Sequence, residues 1–279
     1  MTQTFRMNES DCRNLPSGSH SDLPSGSHLR HPQKGAGSYP LLIAFLLIST
    51  AACDQGTTGQ QMIEYDIAGA PQASATFTDA HGWEITLTRA ELTFGPLVFC
   101  SHQPTFLKSD SLTDCGQVLG EFGEAVTWDL LAGADTVLGR LTGFTGQVHS
   151  AQYDFGWSWP ANQSAPLWKG EAGAGSLVLE GTARKGGVTH EFEFAFDAKP
   201  RGAALYTVAG LPADGDQSTG TSRVTLSAST QKMLRYLDFD LFVEQAEPFT
   251  VTPGSALENQ LRLGLTTGTP VTFVWSQTP

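Results

Sequence analysis

Two histidines lie on strand-like stretches where the neighbouring residues of the same parity are aromatic. In VTHEFEFAF (188–196), His190 shares a face with Phe192, Phe194 and Phe196. In GQVHSAQYDFGWSW (146–159), His149 shares one with Tyr153, Phe155, Trp157 and Trp159, provided the strand runs unbroken. An imidazole in such surroundings either packs as a neutral ring with a hydrogen bond to a carbonyl, or ligates a metal. If His149 and His190 converge, helped by His81, His102 or Met233, copper or zinc is the ion that imidazole suits. Trp157, Trp159 and Trp168 cluster around the loop-like PANQSAPLWKG and offer a different chemistry. Exposed tryptophans stack on sugar rings in glycan-binding modules and anchor protein interfaces, whereas in a β protein they also fill core and strand ends.

Carboxylates pair at Asp238 and Asp240 and at Glu191 and Glu193. On a strand, residues two apart share a face, and the opposite faces here are apolar, so both pairs read as the wet side of a half-buried sheet ahead of a calcium or acid–base site. The chain contains no GxSxG, HExxH, P-loop or dinucleotide fingerprint. Binding or structural work is therefore expected, not catalysis.

Of the four cysteines, Cys100 and Cys115 bracket a polar, Pro-containing segment. In an oxidising compartment they are expected to pair, which stabilises the fold by about 3 kcal/mol in the chain-entropy model. Two metal-bound thiolates are the rival reading, but no CxxC spacing occurs.

Cys53 ends the stretch YPLLIAFLLISTAAC, in which the apolar run Leu41 to Ile48 follows Arg30, His31 and Lys34. A membrane-spanning helix needs about 20 apolar residues, so this shorter run reads as an export signal, residues 39–52. Thr50, Ala51, Ala52 and Cys53 resemble the lipobox of bacterial lipoproteins, with threonine where leucine is usual. That resemblance implies cleavage before Cys53 and acylation of its thiol and amine, hence a palmitate-type anchor holding the protein to the cell envelope and facing the periplasm or the cell surface. Asp54 follows the cysteine, which in enteric lipoproteins implies retention at the inner membrane. Several acyl chains, at about 0.8 kcal/mol per buried methylene, hold a domain far more firmly than one.

Residues 1–38 carry an LPSGSH repeat at Leu15 and Leu23 and are expected to be disordered, because low-complexity polar sequence buries no core. They precede the cleavage point, so Cys12, His20, His28 and His31 take no part in the mature protein. Residues 53–61 form the lipidated cysteine and its tether. The chain has 16 Lys+Arg and 28 Asp+Glu, of which 4 and 3 lie in residues 1–53, leaving the mature part near −13. Such an acidic balance makes nucleic acid a poor partner.

Residues 62–279 show short runs with period-two alternation between turn signals. Strands are predicted at MIEYDI, ASATF, WEITLT, LTFGPLVF (bent at Gly95 and Pro96), AVTWDLL, the His149 stretch, SLVLEGTA, VTHEFEFAF, RVTLSA, MLRYLDFDLFV and VTFVW. Gly186 and Gly187 mark a tight hairpin. TDCGQVLGEF and ALENQLRLGL are the two candidate short helices. The expected fold is all-β, an antiparallel β-sandwich, with a β-barrel as the alternative.

In chain order, TLTRAELTF after a Gly-Trp turn, GFTGQVHSAQYDFGW, SLVLEGTARKGGVTHEFEF and YLDFDLF resemble the strand layout of MbnP-like bacterial proteins. The resemblance implies a β-sandwich and copper handling, and it transfers no ligand position. Function is thus expected to be that of a membrane-anchored envelope lipoprotein with an unidentified protein or glycan partner, copper or zinc being the alternative ligand.

Overall fold

The computed structural model describes residues 59–102, 115–159, 163–200, 207–242, 247–267 and 270–278. The expected extension, export signal and lipidated Cys53 lie outside them. The strands are β1 (Met62–Ala70), β2 (Thr76–Thr78), β3 (Glu84–Phe94), β4 (Leu97–Cys100), β5 (Val118–Phe122), β6 (Val126–Asp129), β7 (Thr136–Phe144) and β8 (Gly146–Tyr153). They continue as β9 (Trp157–Ser158), β10 (Leu167–Trp168), β11 (Leu177–Lys185), β12 (Val188–Phe196), β13 (Val208–Gln217), β14 (Thr221–Ala228), β15 (Phe249–Thr250) and β16 (Val271–Gln277). A helical turn α1 (Thr230–Met233) and one longer helix α2 (Ala256–Thr266) complete the set.

The fold is all-β. One sheet has eight strands in the order β13-β8-β4-β5-β7-β1-β14-β16, and a second has β15-β12-β11-β3-β2 with β6 also on β3. Pairing is antiparallel except at β1–β14 and β12–β15, which run parallel. The eight-stranded sheet curls until its two edges nearly meet. Trp275 of β16 lies so close over Gly215 of β13 that a Cβ there would come within 2.4 Å of the ring, and the Gln277 side chain donates to the Asp216 carbonyl. The described domain thus combines two packed sheets with the near-closure of a barrel.

Alternation builds β12 as its sequence implies: Phe192, Phe194 and Phe196 are buried while Glu191, Glu193 and Ala195 are exposed. It returns from β11 through Gly186 and Gly187, whose φ of 58° and 88° suits glycine. The two sheets share one core. Phe94 of β3 packs 5.2 Å from Tyr153 of β8, and Trp128 of β6 fills the space that a side chain at Gly69 of β1 would need. Cys100 and Cys115 form a disulfide, their Cα atoms 4.7 Å apart.

Three local expectations are corrected. MLRYLDFDLFV is not a strand: it holds the end of α1 and a 3-10 turn at Phe239–Leu241, N-capped by the Asp238 side chain. Its buried residues Met233, Leu234, Leu237, Phe239 and Phe242 do not alternate. TDCGQVLGEF, one of the two candidates for a short helix, instead supplies β5 in its VLGEF portion, paired on β4 and β7. ALENQLRLGL does form α2, with Ser255 accepting from the Glu258 amide at its N-terminus. Finally, the His149 stretch is not one strand, because β8 stops at Tyr153 and Phe155 makes only an isolated bridge to Gly95.

Candidate functional site

His190 sits on β12 with the aromatic parity expected of it, 7% exposed. Its ring stacks on Phe249 at 5.0 Å and tilts against Trp83 at 5.6 Å. Nδ1 lies 2.6 Å from the Glu247 carboxylate. Because a carboxylate only accepts, Nδ1 carries the proton in this bond, and Nε2 faces the apolar wall with no hydrogen-bond partner among the described residues. The hydrogen bond from His190 holds the Glu247 carboxyl below the usual carboxylate range, reinforced by the Glu191 backbone N–H.

His149 occupies the other sheet. It is half-buried on β8, and its Nδ1 is 3.4 Å from Asp214 of β13. The structure does not bring His149 and His190 together: each faces its own carboxylate on its own sheet. The other suggested helpers are also dispersed. His81 lies 3.9 Å from Asp238, the His102 ring covers Gly116, and Met233 is core. Among the described residues no three His, Cys, Asp or Glu side chains gather in a way that could hold a metal ion.

Two of the three tryptophans do meet. Trp157 and Trp168 pair across β9 and β10, ring centroids 5.2 Å apart and nearly edge to face. Trp168 rests on Gly156 and Gly170, where any Cβ would come within 2.5 Å of its ring, and its Nε1 donates to the Glu171 carbonyl. The Lys199 ammonium lies 5.3 Å from the Trp157 ring centre. Trp159 is half-buried beside them and donates to the Gln163 carbonyl.

Next to this pair, and not foreseen from the sequence, is a cleft of about 370 Å³ between the end of β12 and α2. Phe196, Lys199, Pro200, Pro253, Glu258 and Arg262 are among its lining residues. Arg262 ties the wall together: its guanidinium donates to the carbonyls of Lys199 and Asp197, meets Glu258 at 3.3 Å and covers the Phe196 ring. Glu258 and Arg262 stand four apart on α2, a pairing the sequence did carry. What it could not carry is that α2 folds back over the end of β12, because the Arg262 contacts with Lys199 and Asp197 span 63 and 65 positions. Lys199 belongs both to the cleft and to the tryptophan pair, so charged, proline and aromatic groups form one continuous surface.

No protein-family model matches the sequence, and no curated protein does. A solved structure with a similar chain trace is MbnP from Methylosinus trichosporium, at 8% sequence identity and a TM-score of 0.31, covering 63% of this chain and 78% of that one. A likeness at that level bears on no residue or activity of this chain.

Proposed function

We propose that this chain is a bacterial envelope lipoprotein, cleaved before Cys53 and acylated there, whose β domain binds a partner and does not catalyse a reaction. The observation that carries the anchor is the order of residues 30–53: basic positions, an apolar run too short to span a membrane, two alanines and a cysteine. The Cys100–Cys115 disulfide supports an oxidising compartment. The cleft at the end of β12 supports binding. Its arginine–glutamate pair, proline rings and adjoining tryptophans are groups that hydrogen-bond and pack against sugar rings, which favours a glycan ligand. Copper or zinc draws less support, since His149 and His190 stand on different sheets.

Replacing Cys53 by Ala is expected to move the protein from the membrane fraction to the soluble fraction, and the intact mass of the wild type is expected to carry acyl chains. Full membrane retention of the variant would refute the anchor. For the ligand, tryptophan fluorescence of the mature protein should shift on titration with oligosaccharides and stay unchanged with copper or zinc; the reverse pattern would overturn the glycan reading.

A further inference from the structure

Asp154 is the first residue after β8, and at 1% exposure it is among the most buried carboxyl groups of the described chain. Its main chain is locked to the bend between β3 and β4: its N–H donates to the Pro96 carbonyl, and its own carbonyl accepts from Gly95. Its side chain turns to the start of β13, where Oδ1 accepts from the Thr207 N–H at 2.6 Å. Oδ2 is buried without a hydrogen-bond partner among the described residues. Thr207 in turn donates to the Ala198 carbonyl, Ala198 donates to Ser176, and Ser176 donates to the Phe155 carbonyl. One carboxyl therefore stands where β8, β13 and the chain after β12 are joined by hydrogen bonds.

Among the described residues no cation offsets a charge there. Gly95, Pro96, Thr207, Ala198 and Ser176 carry no ionisable group. Of the charged residues on the surrounding segments, Glu124, Lys169, Glu171 and Asp197 are exposed, and the ammonium of Lys199 lies over Trp157. Tyr153, next to Asp154 in the chain, is held uncharged by burial. Among the described residues a carboxylate in this place would have the Thr207 contacts alone to replace water.

We propose that Asp154 is a protonation latch: neutral, it fastens the start of β13 to the end of β8, and on ionising it loosens that joint. Burial accordingly pushes its carboxyl up from 3.8 to about 7, with the Thr207 hydrogen bonds opposing. Between those values the folded protein holds a proton that the unfolded chain releases, so stability falls as pH rises through the window. β13 is an edge strand with two register shifts on β8, and it forms one side of the seam with β16.

The test is urea unfolding of the wild type and of Asp154→Asn, a neutral isostere, over about pH 5 to about pH 8. The wild-type folding constant is expected to drop on the order of a hundredfold across that range, and the variant's dependence should lack this component. Hydrogen exchange of the wild type supplies a second measurement independent of the variant's folding. After correction for intrinsic rate, protection of the Thr207 and Val208 amides should fall between about pH 6 and about pH 8, in step with the folding constant. Identical pH profiles for the two proteins, or unchanged protection at Thr207, would overturn the latch.

Discussion

His190 and Asp154 are both titratable groups buried at a strand junction, and they differ in what meets them. His190 has a carboxylate at one nitrogen and aromatic rings around the other. Asp154 has the Thr207 amide at one oxygen and, among the described residues, no hydrogen-bond partner at the other. The first arrangement favours charge on its partner, Glu247, and the second opposes charge on Asp154 itself. The balance sets the direction of each pH effect: at exposed Glu247 the hydrogen bond from His190 wins and lowers the carboxyl, whereas at Asp154 burial outweighs the Thr207 hydrogen bonds and raises it.

The largest expected effect removes the partnered ring. His190→Ala would leave a hole between Trp83 and Phe249 and strip Glu247 of its donor, so a loss of about 3 kcal/mol is expected in urea unfolding. A loss well under ~1 kcal/mol would mean that the imidazole is not packed as described.

The comparison sharpens when the two carboxyl groups are neutralised separately. Glu247 has a folded value below the ordinary 4.5, so its contribution is present above that value and disappears as pH falls through the acid range. Glu247→Gln should flatten the acid limb of a stability profile and leave the neutral-range fall in place, whereas Asp154→Asn should do the opposite. If both variants change the same limb, the contrast between the sites fails.

The smallest effect belongs to charges that stay in water. Arg89 meets Glu91 and Glu180 at 2.9 and 2.8 Å on the wet face of β3 and β11. Those carboxylates hold the guanidinium further above its usual range. Solvent screening still limits Arg89→Ala to less than about 1 kcal/mol, and added salt should shrink the difference further. An effect as large as that of His190→Ala would show that paired surface charge matters more here than burial.

Strands whose two faces have different solvents were legible in the sequence. The Phe/Glu alternation of 190–196 and the Gly186-Gly187 turn specify β12 and its hairpin without reference to the rest of the chain. β13 is not legible in this way: Gly210, Pro212 and Gly215 break a regular strand pattern, yet an edge strand with register shifts accommodates them. LDFDLF was misread because a short alternating run also suits a capped 3-10 turn. The sites were less legible still. His190 meets Glu247 across 57 positions and Asp154 meets Thr207 across 53, and no spacing rule reaches that far. The parity argument placed His190 on its aromatic face but could not tell which carboxylate would answer it. The tryptophan pair was visible as a cluster of types, while the backbone glycines under Trp168 that fix its position were not.

Carboxyl-carbon NMR titration of the folded domain tests the contrast most directly, because both groups report in one sample. Asp154 is expected to titrate near 7 and Glu247 below the ordinary glutamate value of 4.5. An Asp154 midpoint near 3.8 would contradict the account, since it would mean that the carboxyl is hydrated or paired where the described residues leave it neither.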